Sequence, residues 1–188
     1  MIEALQSPTP ANDGHGFELY FQPKFEFKKG DVAPELIGAE ALLRFNVHTT
    51  EATKIVTLTP DQFLKTAHQA GLTERIGEWV VNSAISVAKN WATSIRNRPN
   101  PFDLSINVSP IQLASIGFAS EFRDKVRDAD VDGIVSIELL EEWDRDDGIH
   151  MGVVSQLNEL SSKTKVHIDD FGTGTTKLSY ISQTQHLN

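Results

Sequence analysis

From Phe17 onward the chain alternates. Phe17, Leu19, Phe21 and Phe25 fall on one side of an extended segment, and Glu18, Tyr20, Gln22 and Lys24 fall on the other, the period of a half-buried strand. Pro23 interrupts it and predicts an edge or a bulge there, and Lys28-Lys29-Gly30-Asp31 reads as a turn. Ile37 to Phe45 is a second strand. Ile37, Ala39, Ala41, Leu43 and Phe45 make one continuous apolar face, and Glu40, Leu42 and Arg44 share the other. A solvated face would carry more polar residues than this, so a buried, occupied face is the better reading of Glu40 and Arg44. Asn46 to Leu58 is polar and β-branched and is read as an irregular connection.

The period then changes. Thr59-Pro60-Asp61-Gln62 is a capping box with Pro at the first helical position, Phe63, Leu64, Ala67 and Ala70 form an apolar stripe, and Gly71 ends the helix. A longer helix follows, with Ile76, Trp79, Val80, Ser83, Ala84, Val87, Ala88 and Trp91 at helical spacing, a stripe that predicts core packing. Phe102 to Val108 is a strand with Leu104, Ile106 and Val108 on one face and Ser105 and Asn107 on the other. Ser109-Pro110-Ile111-Gln112 repeats the cap, and a helix is expected around Phe122 to Asp128. Ile134 to Leu140 is the next strand, with Glu138 opposite Val135, Ile137 and Leu139. The acidic run from Asp144 to Gly148 lacks the ligand alternation and closing Glu of a calcium loop and reads as a solvated helix start, with helix over Val153 to Leu160. Lys165 to Ile168 is a strand that runs into Asp169-Asp170-Phe171-Gly172-Thr173-Gly174, and Thr175 to Ile181 is expected to start another helix.

Strand–helix alternation of this kind argues a parallel α/β sheet, barrel or doubly wound. No GxGxxG or Walker pattern follows the first strand, which disfavours a nucleotide-binding doubly wound fold. Composition narrows the classes further. At 188 residues and 39% hydrophobic the chain has ample material for one core. Net charge is −9 with no basic block, so a DNA or RNA polymer is an unsuitable partner. Cysteine is absent, which excludes disulfides and thiolate metal sites, and the six His residues have no HxxxH or HxH spacing to suggest zinc. No apolar run approaches membrane-spanning length and no signal-peptide pattern opens the chain, so the cytoplasm is the expected compartment.

Four strands share one oddity. Each places a single hard-ligand side chain near its end, on the face opposite the apolar one: Glu40, Asn107, Glu138 and Asp169. In a barrel these faces converge on one mouth, where active sites lie. Three carboxylates gathered there repel one another unless cations sit between them, which is the case for a Mg²⁺ or Mn²⁺ site, with Asp170 able to reach the same place. Residue by residue, the plain alternatives are an Asp-Gly turn after a strand and a Glu–Arg pair on a solvated face.

The same residues carry a resemblance. Tyr20-Phe21-Gln22-Pro23, Gly38-Ala39-Glu40-Ala41-Leu42-Leu43-Arg44, Asn107-Val108-Ser109-Pro110, Glu138-Leu139-Leu140-Glu141 and Asp169 to Gly174 occur in the order seen in EAL domains, and span Leu19 to Tyr180. That family comprises cyclic-di-GMP phosphodiesterases built on a modified TIM barrel. The resemblance implies that Glu40, Asn107, Glu138 and Asp169 bind a first Mg²⁺ or Mn²⁺ and Asp170 helps with a second. Glu40, Asp169 and Asp170 are then the catalytic set, Arg44 holds a ligand phosphate, and Gln22 and Leu42 line the ligand site. The implied reaction opens one phosphodiester of cyclic di-GMP to give linear pGpG. Residues 1–16 read as a helix remnant and loop, and 17–188 as the EAL domain.

Departures from the family pattern also shape the expectation. The family's Lys-x-Asp strand lies beyond Asn188, and a TIM barrel typically takes ~250 residues, so about five of eight strands are expected in this chain. An incomplete barrel exposes an edge, which a homodimer or a partner chain completing the barrel would cover. Leu140 stands where a Thr is usual, His68 where a Glu is usual, Thr175-Thr176-Lys177 replaces Tyr-Ser-Ser, and the Pro-x-x-Gly turn after Arg44 is missing. A catalytically inactive EAL-like domain that binds cyclic di-GMP or a protein is the alternative, and an unrelated metal-dependent barrel hydrolase a third reading.

Overall fold

The structure, a computed structural model, describes residues 16–28, 30, 32–48, 54–139, 147–160 and 164–168. Strands β1 (Gly16–Glu26), β2 (Glu35–His48) and β3 (Ile55–Leu58) come first, then helices α1 (Pro60–Gln69) and α2 (Thr73–Arg96). After them lie β4 (Asp103–Val108), α3 (Pro110–Leu113), α4 (Phe118–Asp128), β5 (Val135–Leu139), α5 (Asp147–Glu159) and β6 (Val166–Ile168). All the strands join one sheet in the order β1-β2-β4-β5-β6, with β3 also paired to β2. β1 and β3 run antiparallel to β2, and β2, β4, β5 and β6 run parallel.

The parallel strands lie side by side in chain order and never double back. A doubly wound sheet would reverse at a switch point, whereas a barrel winds in one direction, so this is an arc of barrel wall. One face of the arc is apolar. Ala39 and Ala41 of β2, Leu104, Ile106 and Val108 of β4, and Val135, Ile137 and Leu139 of β5 are buried against the helices. α2 lies across β1, β4 and β5, and its Val81, Ala84, Ile85, Ala88, Ala92 and Ile95 fill that layer. Its apolar stripe is wider than the sequence spacing suggested, because the helix packs on α4 as well as on the sheet.

A second, smaller core joins β1, β2 and α1. Phe17, Phe45 and Phe63 are fully buried, with ring centroids 4.9 Å apart for Phe17–Phe45 and 5.5 Å for Phe45–Phe63. Trp79 and Trp91 pack on the edges of the two cores, as the stripe implied. Both helix starts are set by their caps: Gln62 reaches back to accept the Thr59 N–H at 2.9 Å, and Ser109 Oγ accepts the Gln112 N–H at 3.2 Å. The expected break near Pro23 appears as a register shift between Lys24 and Phe25.

Two expectations need correction. The segment read as an irregular connection contains β3, whose four residues pair with the tail of β2 from Phe45 to His48. The fourth helix begins at Phe118, four residues before the expected start, after Gly117 in a left-handed conformation with no side-chain cap to signal it. The helix expected from Thr175 to Ile181 lies outside the described residues, as does most of the acidic run, although α5 does begin at Asp147.

Gly38 is required by the close approach of β2 and β4. A Cβ built there would overlap the Asp103 carbonyl oxygen, a backbone atom that cannot swing aside. Gly38→Ala is therefore expected to lower unfolding free energy by about 3 kcal/mol, at the upper end of overpacking costs, as read from a urea melt.

Candidate functional site

The face of the sheet opposite the helices is polar. One rung crosses Gln22, Glu40, Ser105 and Ser136, and the rung above it on the parallel strands crosses Asn107, Glu138 and His167. Glu40 therefore sits diagonally below Asn107, and the amide Nδ2 of Asn107 donates to Glu40 Oε1 at 2.7 Å. An ionised carboxylate only accepts, so the amide nitrogen must face it, and the amide oxygen remains as a hard donor. Glu138 stands beside Asn107 in register and is 8% exposed.

A fourth side chain completes the group. Lys24 Nζ donates to Ser105 Oγ at 2.7 Å and to a carboxylate oxygen of Glu138. β1 and β5 are three strand spacings apart, roughly 14 Å along a flat sheet. An extended lysine reaches about 6 Å from its Cα, so the contact is made only because the sheet curls toward a barrel. Lys24 is in register with Gly38, which carries no side chain, so the lysine stem crosses β2 unobstructed.

The strand pair β1–β2 forms the flank of this group. Leu42 faces Tyr20, and the Arg44 guanidinium lies 5.6 Å from the centre of the Tyr20 ring while Nη1 donates to the Leu43 carbonyl at 2.8 Å. Gln22 is exposed beside Glu40. Toward the N-terminal ends of the strands, Asp103 Oδ2 accepts from Ser136 Oγ at 2.9 Å and lies 3.3 Å from His167 Nε2. That end of a barrel is ordinarily structural.

The structure thus brings Glu40, Asn107 and Glu138 together and sets Gln22, Leu42 and Arg44 on the same face. Asp169 and Asp170 lie outside the described residues. Among the described residues no group of three or more His, Asp or Glu side chains forms a metal cage; the gathered oxygen donors are two carboxylates and an amide. Their chemistry nevertheless fits a hard divalent cation, which takes oxygen donors such as two carboxylates and an amide oxygen. Lys24 and Ser105 had no role in the sequence reading. Alternation placed both on the polar face, but their meeting depends on the Gly38 register and on sheet curvature, which no local pattern encodes.

Compared with known families, residues 6–185 match the EAL domain. The chain belongs to the EAL domain family. The bifunctional diguanylate cyclase/cyclic di-GMP phosphodiesterase MucR of Pseudomonas aeruginosa is 30% identical over 184 residues, covering 97% of this chain and 25% of that protein. The probable cyclic di-GMP phosphodiesterase PdeB of Escherichia coli is 27% identical over 186 residues, covering 96% of this chain and 33% of that protein. Among solved structures, the MucR phosphodiesterase in complex with c-di-GMP superposes with a TM-score of 0.68 at 28% identity, over 90% of this chain and 66% of that one. The EAL enzyme Bd1971, bound to cAMP and cyclic di-GMP, gives 0.68 at 26% identity, over 89% of this chain and 43% of that one. This EAL domain therefore spans a quarter to a third of those two curated relatives. Its wall of parallel strands is part of the EAL barrel, as the motifs implied. No helix among the described residues is long and apolar enough to cross a membrane.

Proposed function

We propose that this EAL domain, residues 17–188, is a metal-dependent phosphodiesterase that opens cyclic di-GMP to linear pGpG. The observation that carries the reading is the meeting of Glu40, Asn107 and Glu138 on one face of three parallel strands, in a chain matched to the family over residues 6–185. Glu40, Asn107, Glu138 and Asp169 would hold a first Mg²⁺ or Mn²⁺, with Asp170 contributing to a second. Bound there, the metal would lower the pKa of a water and neutralise charge developing on the phosphoryl oxygens. Arg44 supplies a fork of N–H donors suited to a phosphate, and the Tyr20 ring beneath it restricts its orientation. Gln22 and Leu42 border the same space and would seat the rest of the dinucleotide. The cytoplasm is the compartment this reading assigns to the reaction.

One observation favours a second reading, a domain that binds the dinucleotide without cleaving it. Lys24 already neutralises Glu138, so the polar face is stable without a metal ion. Incubating the chain with cyclic di-GMP and Mn²⁺ and separating the products by chromatography decides between them. The expected result is pGpG that accumulates with Mn²⁺ and stops with EDTA. Binding without product selects the second reading, and neither binding nor product overturns both.

A further inference from the structure

We propose that Lys24 is the resident counter-cation of the site, and that a divalent ion gains Glu138 only by displacing the Lys24 ammonium. This rests on the metal-dependent reading above and adds a residue to it. Lys24 contacts the same carboxylate that the metal would take, and its second partner, Ser105, holds it on the rung between Glu40 and Ser136. The pair is shielded: the side chain of Glu138 is 11% exposed and that of Lys24 30%. Its approach is built into the backbone, through the register of Lys24 with Gly38 and the register shift that follows at Phe25. The nearby Lys165 ammonium lies 3.8 Å from Asp103 and the His167 ring nitrogen Nε2 3.3 Å from it, so both are directed at Asp103 and not at Glu138.

Physically, the ammonium and the metal are competing ligands of one carboxylate. A buried carboxylate cannot be left bare, so the metal-free protein keeps Lys24 in place. The metal then binds only the fraction of molecules in which Lys24 has left. If that fraction is about a tenth, the apparent affinity falls about tenfold. The lysine thereby sets the metal concentration at which the site loads, and keeps the face folded when it is empty.

Two measurements on the full chain test this. Mn²⁺ is titrated into metal-free wild type and Lys24→Met, with the signal of free Mn²⁺ read by electron paramagnetic resonance. Methionine keeps an unbranched stem and removes the charge. The variant is expected to bind Mn²⁺ about tenfold more tightly. Separately, in wild type, acetylation of lysines by an amine-reactive ester is followed by mass spectrometry. Lys24 is expected to react several times faster once Mn²⁺ is present, while the exposed and distant Lys65 and Lys89 react at unchanged rates. The second measurement needs no variant, so it stands even if Lys24→Met folds poorly. Equal or weaker Mn²⁺ binding by a folded Lys24→Met, or a Lys24 acetylation rate indifferent to bound Mn²⁺, overturns the proposal and leaves the phosphodiesterase reading intact. Mn²⁺ binding by the variant alone shows that the ion never displaces Lys24 in wild type, and overturns the proposal together with the metal-dependent reading. Failure of both proteins to bind Mn²⁺ overturns the two together.

Discussion

Glu40→Ala is expected to lower Mn²⁺-dependent conversion of cyclic di-GMP by at least about a thousandfold, equivalent to about 4 kcal/mol of lost transition-state stabilisation. Glu40 is the carboxylate at the centre of the polar face, with Gln22 and Ser105 on its rung and Asn107 bonded to it at 2.7 Å. Truncation removes one proposed metal donor and releases the Asn107 amide, so two of the proposed donors are lost or disordered by one change. The fold should survive, because Glu40 points away from the apolar layer in which Ala39 and Ala41 are buried. Circular dichroism and a thermal melt provide that control. Glu40→Gln separates charge from shape: its amide oxygen can still accept from Asn107, so it should match wild type in stability yet lose nearly as much turnover. Activity within tenfold of wild type in a folded Glu40→Ala protein would remove Glu40 from the mechanism.

Phe45→Ala is expected to cost about 3–5 kcal/mol of unfolding free energy, the range for deleting a buried aromatic ring. Phe45 is fully buried, and its ring packs on Phe17 of β1 and Phe63 of α1. No neighbouring chain segment can collapse into the space without moving three elements at once. For a chain of this length that corresponds to a fall of roughly 10 °C in the melting midpoint. The effect should spread to function, because Arg44 is the adjacent residue on β2 and depends on the same strand for its position. A denaturation midpoint unchanged from wild type would show that the small aromatic core is not what fixes β1 and α1 to the sheet.

What the sequence revealed and what it hid divide along physical lines. Alternation in Ile37 to Phe45 and in Phe102 to Val108 gave the correct faces, since each strand is buried against helices on one side only. The caps at Thr59 and Ser109 were legible because they are local hydrogen-bond chemistry. β3 was missed because its four residues are too few for alternation to show, although Val56 and Leu58 are half-buried and Leu58 packs on the small aromatic core. The early start of α4 was missed because Gly117 offers no side-chain cap. Lys24 was placed on the right face and left without a role. Its contacts span 81 and 114 residues of sequence, and only the curl of the sheet makes them.

The antiparallel entry of β1 has a consequence for wiring. Because β1 runs against β2, its first residue, Gly16, pairs with Asn46 near the C-terminal end of β2, at the same end of the wall as Arg44. Polypeptide joined upstream of Gly16 therefore meets the domain at the rim of the polar face, not at its base. From there the rung of Gln22 and Glu40 is six residues down the strand, about 20 Å.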